Sequence, residues 1–408
     1  MINEPSHAAW LNAETDRLLA FGRASMVPFG GFGWLDERGE VDDSHASELW
    51  ISCRMTHSYA LSVLRGNAAD AELVDHGVAS LFGPFRDAEN GGWFASVGPD
   101  GVVDSTKACY GHAFVILAAS SAAAAGRPHA RELLDEALAV HRDRFWDDSE
   151  GLAREAYAAD WSGLDAYRGV NANMHTVEAY LAAADVAGDP ELLRRALRIT
   201  SRVVNTWARD NDWLLPEHFT SDWEPLLDFN REEPAHPFRP FGATIGHLFE
   251  WSRLTLQLEA SLVRAGLDAP SWMAPAARHL YDVGVRDGWN VDGAPGFVYT
   301  VDWDGKPVVR ERMHWVTAEA IGAAVALWLR SGDTALAEDY DAWWGYARQH
   351  LIDVDRGSWW HELGTDNSLS SSVWEGKPDI YHAVQATLFP RLPMVPSLAT
   401  SLAAGNLI

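Results

Sequence analysis

Two kinds of helical pattern alternate along this chain. Segments such as RELLDEALAVHRDRF (131–145) and PELLRRALRITSRVVNTWA (190–208) set apolar residues at i, i+3 and i+4 with charges opposite, which predicts helices with one wet face. Segments such as VEAYLAAADVAG (177–188) and AEAIGAAVALWL (318–329) are alanine-rich with few charges, which predicts helices buried nearly all round. Before the buried helices come turns rich in glycine and tryptophan, such as Gly31-Phe32-Gly33-Trp34, Gly91-Gly92-Trp93-Phe94 and Arg356-Gly357-Ser358-Trp359-Trp360. Each unit then reaches a histidine: His57, His112, His175, His247, His314 and His382, at intervals of 55, 63, 72, 67 and 68 residues. That period fits helix pairs and is too long for propeller blades. Strand patterns are no larger than a hairpin, as at 91–104. The expected fold is therefore all-α: an (α/α)6 barrel, a toroid of six inner and six outer helices with short β-hairpin loops.

No linker separates two composition regimes, so 1–408 reads as one domain. The proline-rich stretch 214–240 breaks the period, and its length suggests a binding loop or lid. With 408 residues, 47% apolar and 22% charged, the chain can bury a large core. A net charge of −26 works against nucleic acid and anionic membrane as partners. The uncharged run Ala113–Ala125 is too short to span a bilayer, and the N-terminal residues lack the basic and apolar regions of a secretory leader. A cytoplasmic protein, monomer or homodimer, is expected. Cys53 and Cys109 have no companions at metal-ligand spacing, so no disulfide framework is expected.

Polar residues gather at one level of the inner helices. Arg54 and His57, Asn171 and His175, His247 and Glu250, and Trp315 and Glu319 are each spaced to share a helical face. His-x-x-Glu occurs at His175–Glu178 and His247–Glu250 and could be half of a metal site. The more economical reading is acid/base chemistry, with Glu250 accepting a hydrogen bond from the His247 ring and His382 supplying a second imidazole. Neither metal nor cofactor is expected. His57, His112 and His314 are read as hydrogen-bonded core residues. Phosphate-loop, Gly-x-Ser-x-Gly and His-Glu-x-x-His motifs are missing. An (α/α)6 glycoside hydrolase would rest on Glu250 and Glu319, and a non-enzymatic sugar-binding protein is the remaining alternative.

The segments Arg54-Met-Thr-His57-Ser-Tyr, Asn171-Ala-Asn-Met-His175, Pro240-Phe-Gly-Ala-Thr-Ile-Gly-His247-Leu-Phe-Glu250-Trp, Trp315-Val-Thr-Ala-Glu319-Ala and Trp374-Glu-Gly-Lys377-Pro-Asp-Ile-Tyr381-His382 carry a family likeness. Through them the chain resembles the N-acylglucosamine 2-epimerase superfamily, in particular its aldose–ketose isomerase branch. The resemblance implies metal-independent isomerisation of an open-chain monosaccharide through a cis-enediol. D-Mannose and D-fructose are the expected pair, with D-lyxose and D-xylulose beside them; sulfoquinovose isomerisation or sugar 2-epimerisation are the alternatives. It further implies that His382 moves the proton between C2 and C1, and that His247, held by Glu250, serves ring opening and the oxygens. Arg54 and His175 would bind the O1/O2 region, and Asn171, Arg239, Trp315, Glu319, Trp374 and Tyr110 would contact the sugar.

Overall fold

The computed structural model describes residues 1–2 and 4–408. Outer helices α1 (Pro5–Gly22), α3 (Ala71–Phe82), α5 (Ala130–Val140), α7 (Pro190–Arg202), α9 (Met273–Gly288) and α11 (Ala335–Tyr346) alternate in sequence with inner helices α2 (Leu49–Leu64), α4 (Cys109–Ala124), α6 (Val170–Ala187), α8 (Ile245–Arg264), α10 (His314–Ser331) and α12 (Tyr381–Leu388). Successive inner helices pack against one another, and α12 closes the ring on α2. The six repeat histidines all lie on inner helices. This is the expected (α/α)6 barrel. A thirteenth helix, α13 (Leu398–Ala403), packs against α2, α4 and α6.

The patterns that predicted helices over 131–145 and 190–208 end differently. Both helices widen into a π-helical last turn, His141–Phe145 and Val203–Ala208, and the outer helix α11 does the same at Ala347–Leu351. The wider turn keeps His141 and Phe145, and likewise Val203, Val204 and Ala208, buried against the inner ring.

The glycine turns have a common physical basis. In three of them a carboxylate accepts backbone N–H groups two and three residues on, at Asp87, Asp147 and Asp353, and a cation closes the loop from outside the turn. The cations are Lys107 at 2.7 Å, Arg154 at 2.7 Å and Lys377 at 2.6 Å. Gly91, Gly151 and Gly357 complete them at φ values of 77°, 70° and 101°, where a side chain would be strained. The lysine of Gly376-Lys377-Pro378 is thus a buried strut.

Inner helices α2, α4, α6, α8 and α10 lack side-chain N-caps, and the unit that follows supplies the missing acceptors. A two-residue strand before each helix pairs with a strand from the next unit's loop, as Arg168–Gly169 does with His218–Phe219 and Arg312–Met313 with Glu362–Leu363. The loop residue beside that pairing gives its carbonyl to the first helical N–H. Leu49 donates to Ala95, Cys109 to Glu155, Val170 to Glu217, Ile245 to Tyr299 and His314 to His361, at 2.8–3.1 Å. Capping by a neighbouring loop delivers loop side chains to the same end of the barrel as the helix N-termini.

Candidate active site

At that end a cavity opens between the helix N-termini. The first turns of the inner helices line it with Trp50 and Arg54 of α2, Tyr110 of α4, Asn171 and His175 of α6, His247 and Glu250 of α8, Trp315 of α10 and His382 of α12. Trp374, also expected there, lines it as well. Pro237, Phe238 and Pro240 bring the stretch 214–240 over the mouth, with the Phe238 ring edge-on to Trp50 and Trp374. Gly246 lets the Trp315 indole lie against α8, because a Cβ at this position would fall 2.1 Å from Cζ3 of that ring.

Three cavity imidazoles share one arrangement. His382 Nδ1 lies 2.9 Å from Glu319 Oε1, His247 Nδ1 lies 2.9 Å from Glu217 Oε1, and His175 Nδ1 lies 3.3 Å from Glu178 Oε2. A carboxylate can only accept, so each Nδ1 carries the proton and each Nε2 keeps a free lone pair. Burial, followed by the charge of Arg54, holds His382 well below the ordinary imidazole range, and burial takes His175 down to about 4. Both are neutral at pH 7 and able to accept a proton.

Three expected roles are corrected by this geometry. Glu250 does not hold His247: that task belongs to Glu217, from the loop that caps α6, while Glu250 Oε1 faces Arg253 at 3.4 Å and His175 Nδ1 at 3.9 Å. Spacing on one helix suggested the His247–Glu250 pair, but the side chains diverge because Arg253, one turn on, draws Glu250 toward the barrel axis. Glu319 does not face the cavity, and both its oxygens are taken, Oε1 by His382 and Oε2 by Arg253 at 2.9 Å. Arg239 lies outside the cavity as well. Its guanidinium stacks 3.9 Å from the Tyr167 ring centre, 3.7 Å from Glu155 and 3.8 Å from Asp165, so it anchors the covering stretch.

Beneath the imidazoles, Glu178, Glu250 and Glu319 surround Arg253, all buried. Burial, then the neighbouring charge of Glu319, pushes Glu250 well above the carboxylate range, so it holds its proton. Glu178 is held below that range despite burial by the hydrogen bond from His175, the charge of Arg253 and the Tyr381 hydroxyl. His175, Glu178 and Glu250 come close enough together for a metal ion to be considered among the described residues. Arg253 already supplies the positive charge there, and Tyr381 and Gln385 occupy Glu178. Glu250 and Glu319, on which a glycoside hydrolase would rest, are both committed to Arg253, and Glu319 lies outside the cavity, so this pair does not flank a ligand.

Arg54 is buried at the cavity wall. Its Nη1 donates to Asp379 at 3.1 Å and its Nη2 to the Tyr110 hydroxyl at 3.1 Å, with the rings of Trp50, Phe114 and Tyr381 packed around it. Its Nε has no partner, nor has Asn171 Oδ1 or His314 Nε2. Buried polar groups in folded proteins are nearly always paired, so orphans on a cavity wall mark where a ligand's polar groups belong. Sequence reasoning missed Glu217, Tyr299, His361 and Asp379, which loops deliver, and set His314 aside as core.

The N-acylglucosamine 2-epimerase (GlcNAc 2-epimerase) family matches residues 30–386. A D-mannose isomerase of Pseudomonas cannabina pv. alisalensis is 49% identical over 403 residues, covering 98% of this chain and 97% of its own. One from Thermobifida fusca is 49% identical over 402 residues, with the same coverage. A crystal structure of a D-mannose isomerase superposes with a TM-score of 0.88 at 29% identity, covering 95% of this chain and 99% of that one.

Proposed function

Because this chain belongs to the N-acylglucosamine 2-epimerase family, we propose that it interconverts D-mannose and D-fructose, with D-lyxose and D-xylulose as a second pair. The observation that carries the reading is the set of three cavity imidazoles, His175, His247 and His382, each with its Nδ1 tied to a carboxylate, gathered beside a cationic Arg54. A proton α to a sugar carbonyl is weakly acidic. Its removal needs a base and a clamp on the developing oxyanion in a place closed to water.

His382 Nε2 takes the C2 proton of the open-chain aldose, and the C2–H electron pair becomes the C1–C2 double bond of a cis-enediolate. Arg54 meets the charge on O1. His247 relays a proton from O2 to O1, while Glu250, holding its own proton, faces the same oxygens. Return of the carbon-bound proton from His382 to C1 leaves a carbonyl at C2, so oxidation at one carbon balances reduction at the other. One base on one face of the enediol gives the ketose; epimerisation at C2 needs a donor on the opposite face.

The same reading makes the protein a cytoplasmic enzyme of free monosaccharides, monomeric or homodimeric, in which 214–240 opens to admit sugar. No described helix is long and apolar enough to cross a membrane. No step uses a metal, and activity is expected to survive exhaustive chelation. Incubation with D-mannose in D2O, followed by NMR, is expected to give D-fructose, with deuterium at C1 to the extent that the proton held on His382 exchanges with solvent before its return; D-glucose in place of fructose would overturn the proposal.

Glu217 acts through His247 by fixing its tautomer. Glu217→Gln keeps an acceptor but removes the charge that supports an imidazolium, and kcat is expected to fall by about tenfold or more with KM little altered. Steady-state kinetics on mannose would check this, and an unchanged kcat would remove Glu217 from the relay.

A further inference from the structure

We propose that His314 is a specificity-determining residue: its Nε2 accepts a hydrogen bond from one sugar hydroxyl that takes no part in the proton transfer. The proposal rests on the isomerase reading above and adds to it a contact on which the sugar is selected.

His314 lines the cavity at 4% exposure, beside His382, with ring centres 6.3 Å apart. Its Nδ1 lies 3.3 Å from the backbone carbonyl of His361, the same carbonyl that caps the first N–H of α10 at 3.1 Å. A carbonyl only accepts, so the proton sits on Nδ1 and Nε2 keeps a bare lone pair, which finds no partner among the described residues. The plane of the ring is held because His314 stacks on His361 at 3.9 Å and 24° between planes, and His361 Nε2 is tied to the backbone carbonyl of Asp379 at 3.0 Å. Asp379 in turn holds Arg54. The acceptor is thus fixed to the framework that fixes the oxyanion clamp.

The contrast with His175, His247 and His382 separates the roles. Those three donate Nδ1–H to carboxylates, whereas His314 donates to a neutral carbonyl, which supports an imidazolium less than a full negative charge in direct contact does. Burial takes it down to about 4, so it stays an acceptor across the working range. An orphaned, buried acceptor rejects a substrate that lacks the donor it was built to receive, because binding then leaves the lone pair desolvated and unpaired.

The test is kcat/KM for D-mannose and its 3-, 4-, 5- and 6-deoxy analogues, on the wild type, His314→Phe and His314→Asn. Phenylalanine keeps the ring stack and asparagine keeps a donor toward the His361 carbonyl, but neither reaches with an acceptor. The wild type is expected to disfavour one deoxy analogue by about tenfold or more beyond the others. Either folded variant is expected to abolish that preference, by lowering the rate on mannose toward that on the analogue. Equal discrimination in wild type and variants, or none at any position in the wild type, would overturn the role of His314. Failure of the wild type to convert mannose at all would overturn the isomerase reading instead.

Discussion

His382→Ala is expected to lower kcat on mannose by about 10²–10⁴-fold, the range for loss of a positioned general base. His382 Nε2 is the lone pair assigned to carbon. Its Nδ1 is committed to Glu319, whose other oxygen is gripped by Arg253, so the ring is fixed through two successive contacts. The Trp315 indole lies 5.7 Å from it, and also 5.2 Å from His247, so one aromatic wall positions both imidazoles. Truncation removes the base without removing the wall, and the sugar is expected to bind with a KM within a few fold of wild type. Deuterium exchange at C2 of mannose in D2O should collapse along with ketose formation. A variant that still exchanged C2 at a near-wild-type rate would take the carbon proton away from His382.

The barrel and most of this site are legible in the sequence because periodicity reports helices and because inner helices deliver their first-turn residues to one mouth. Arg54, Tyr110, Asn171, His175, His247, Glu250, Trp315 and His382 all arrive that way. What stays hidden are contacts between units. Glu217 and His361 reach the site because their backbone carbonyls cap α6 and α10, a pairing across about 47 residues in each case that no local spacing encodes. The same gap explains the misread partner of His247. Three residues along a helix guarantee a shared face, not a hydrogen bond, and Arg253 competes for Glu250 from the neighbouring turn. His314 is inconspicuous in the sequence for a related reason: its distinguishing mark is a missing partner, which exists only in three dimensions.

Arg54→Lys is expected to lower kcat by about 10²–10³-fold, the cost of removing one pre-placed donor from a developing oxyanion. The native guanidinium spends one N–H of Nη1 on Asp379 and one of Nη2 on Tyr110, while its Nε finds no partner among the described residues. Three aromatic rings, at 4.6 to 4.9 Å from Cζ, exclude water from around the charge and fix its plane. Lysine keeps the positive charge opposite Asp379 but has one short-range centre in place of a planar fork, so it cannot pair Asp379 and Tyr110 and still present a donor to O1. Charge retention should spare most of the stability. Arg54→Met, by comparison, strands Asp379 in a buried site and is expected to cost about 3–5 kcal/mol of folding free energy. Comparing the two by thermal melts and by kcat separates the fork from the charge. If the lysine variant turned over mannose at a near-wild-type rate, charge alone would suffice and the unpaired Nε would have no part in stabilising the enediolate.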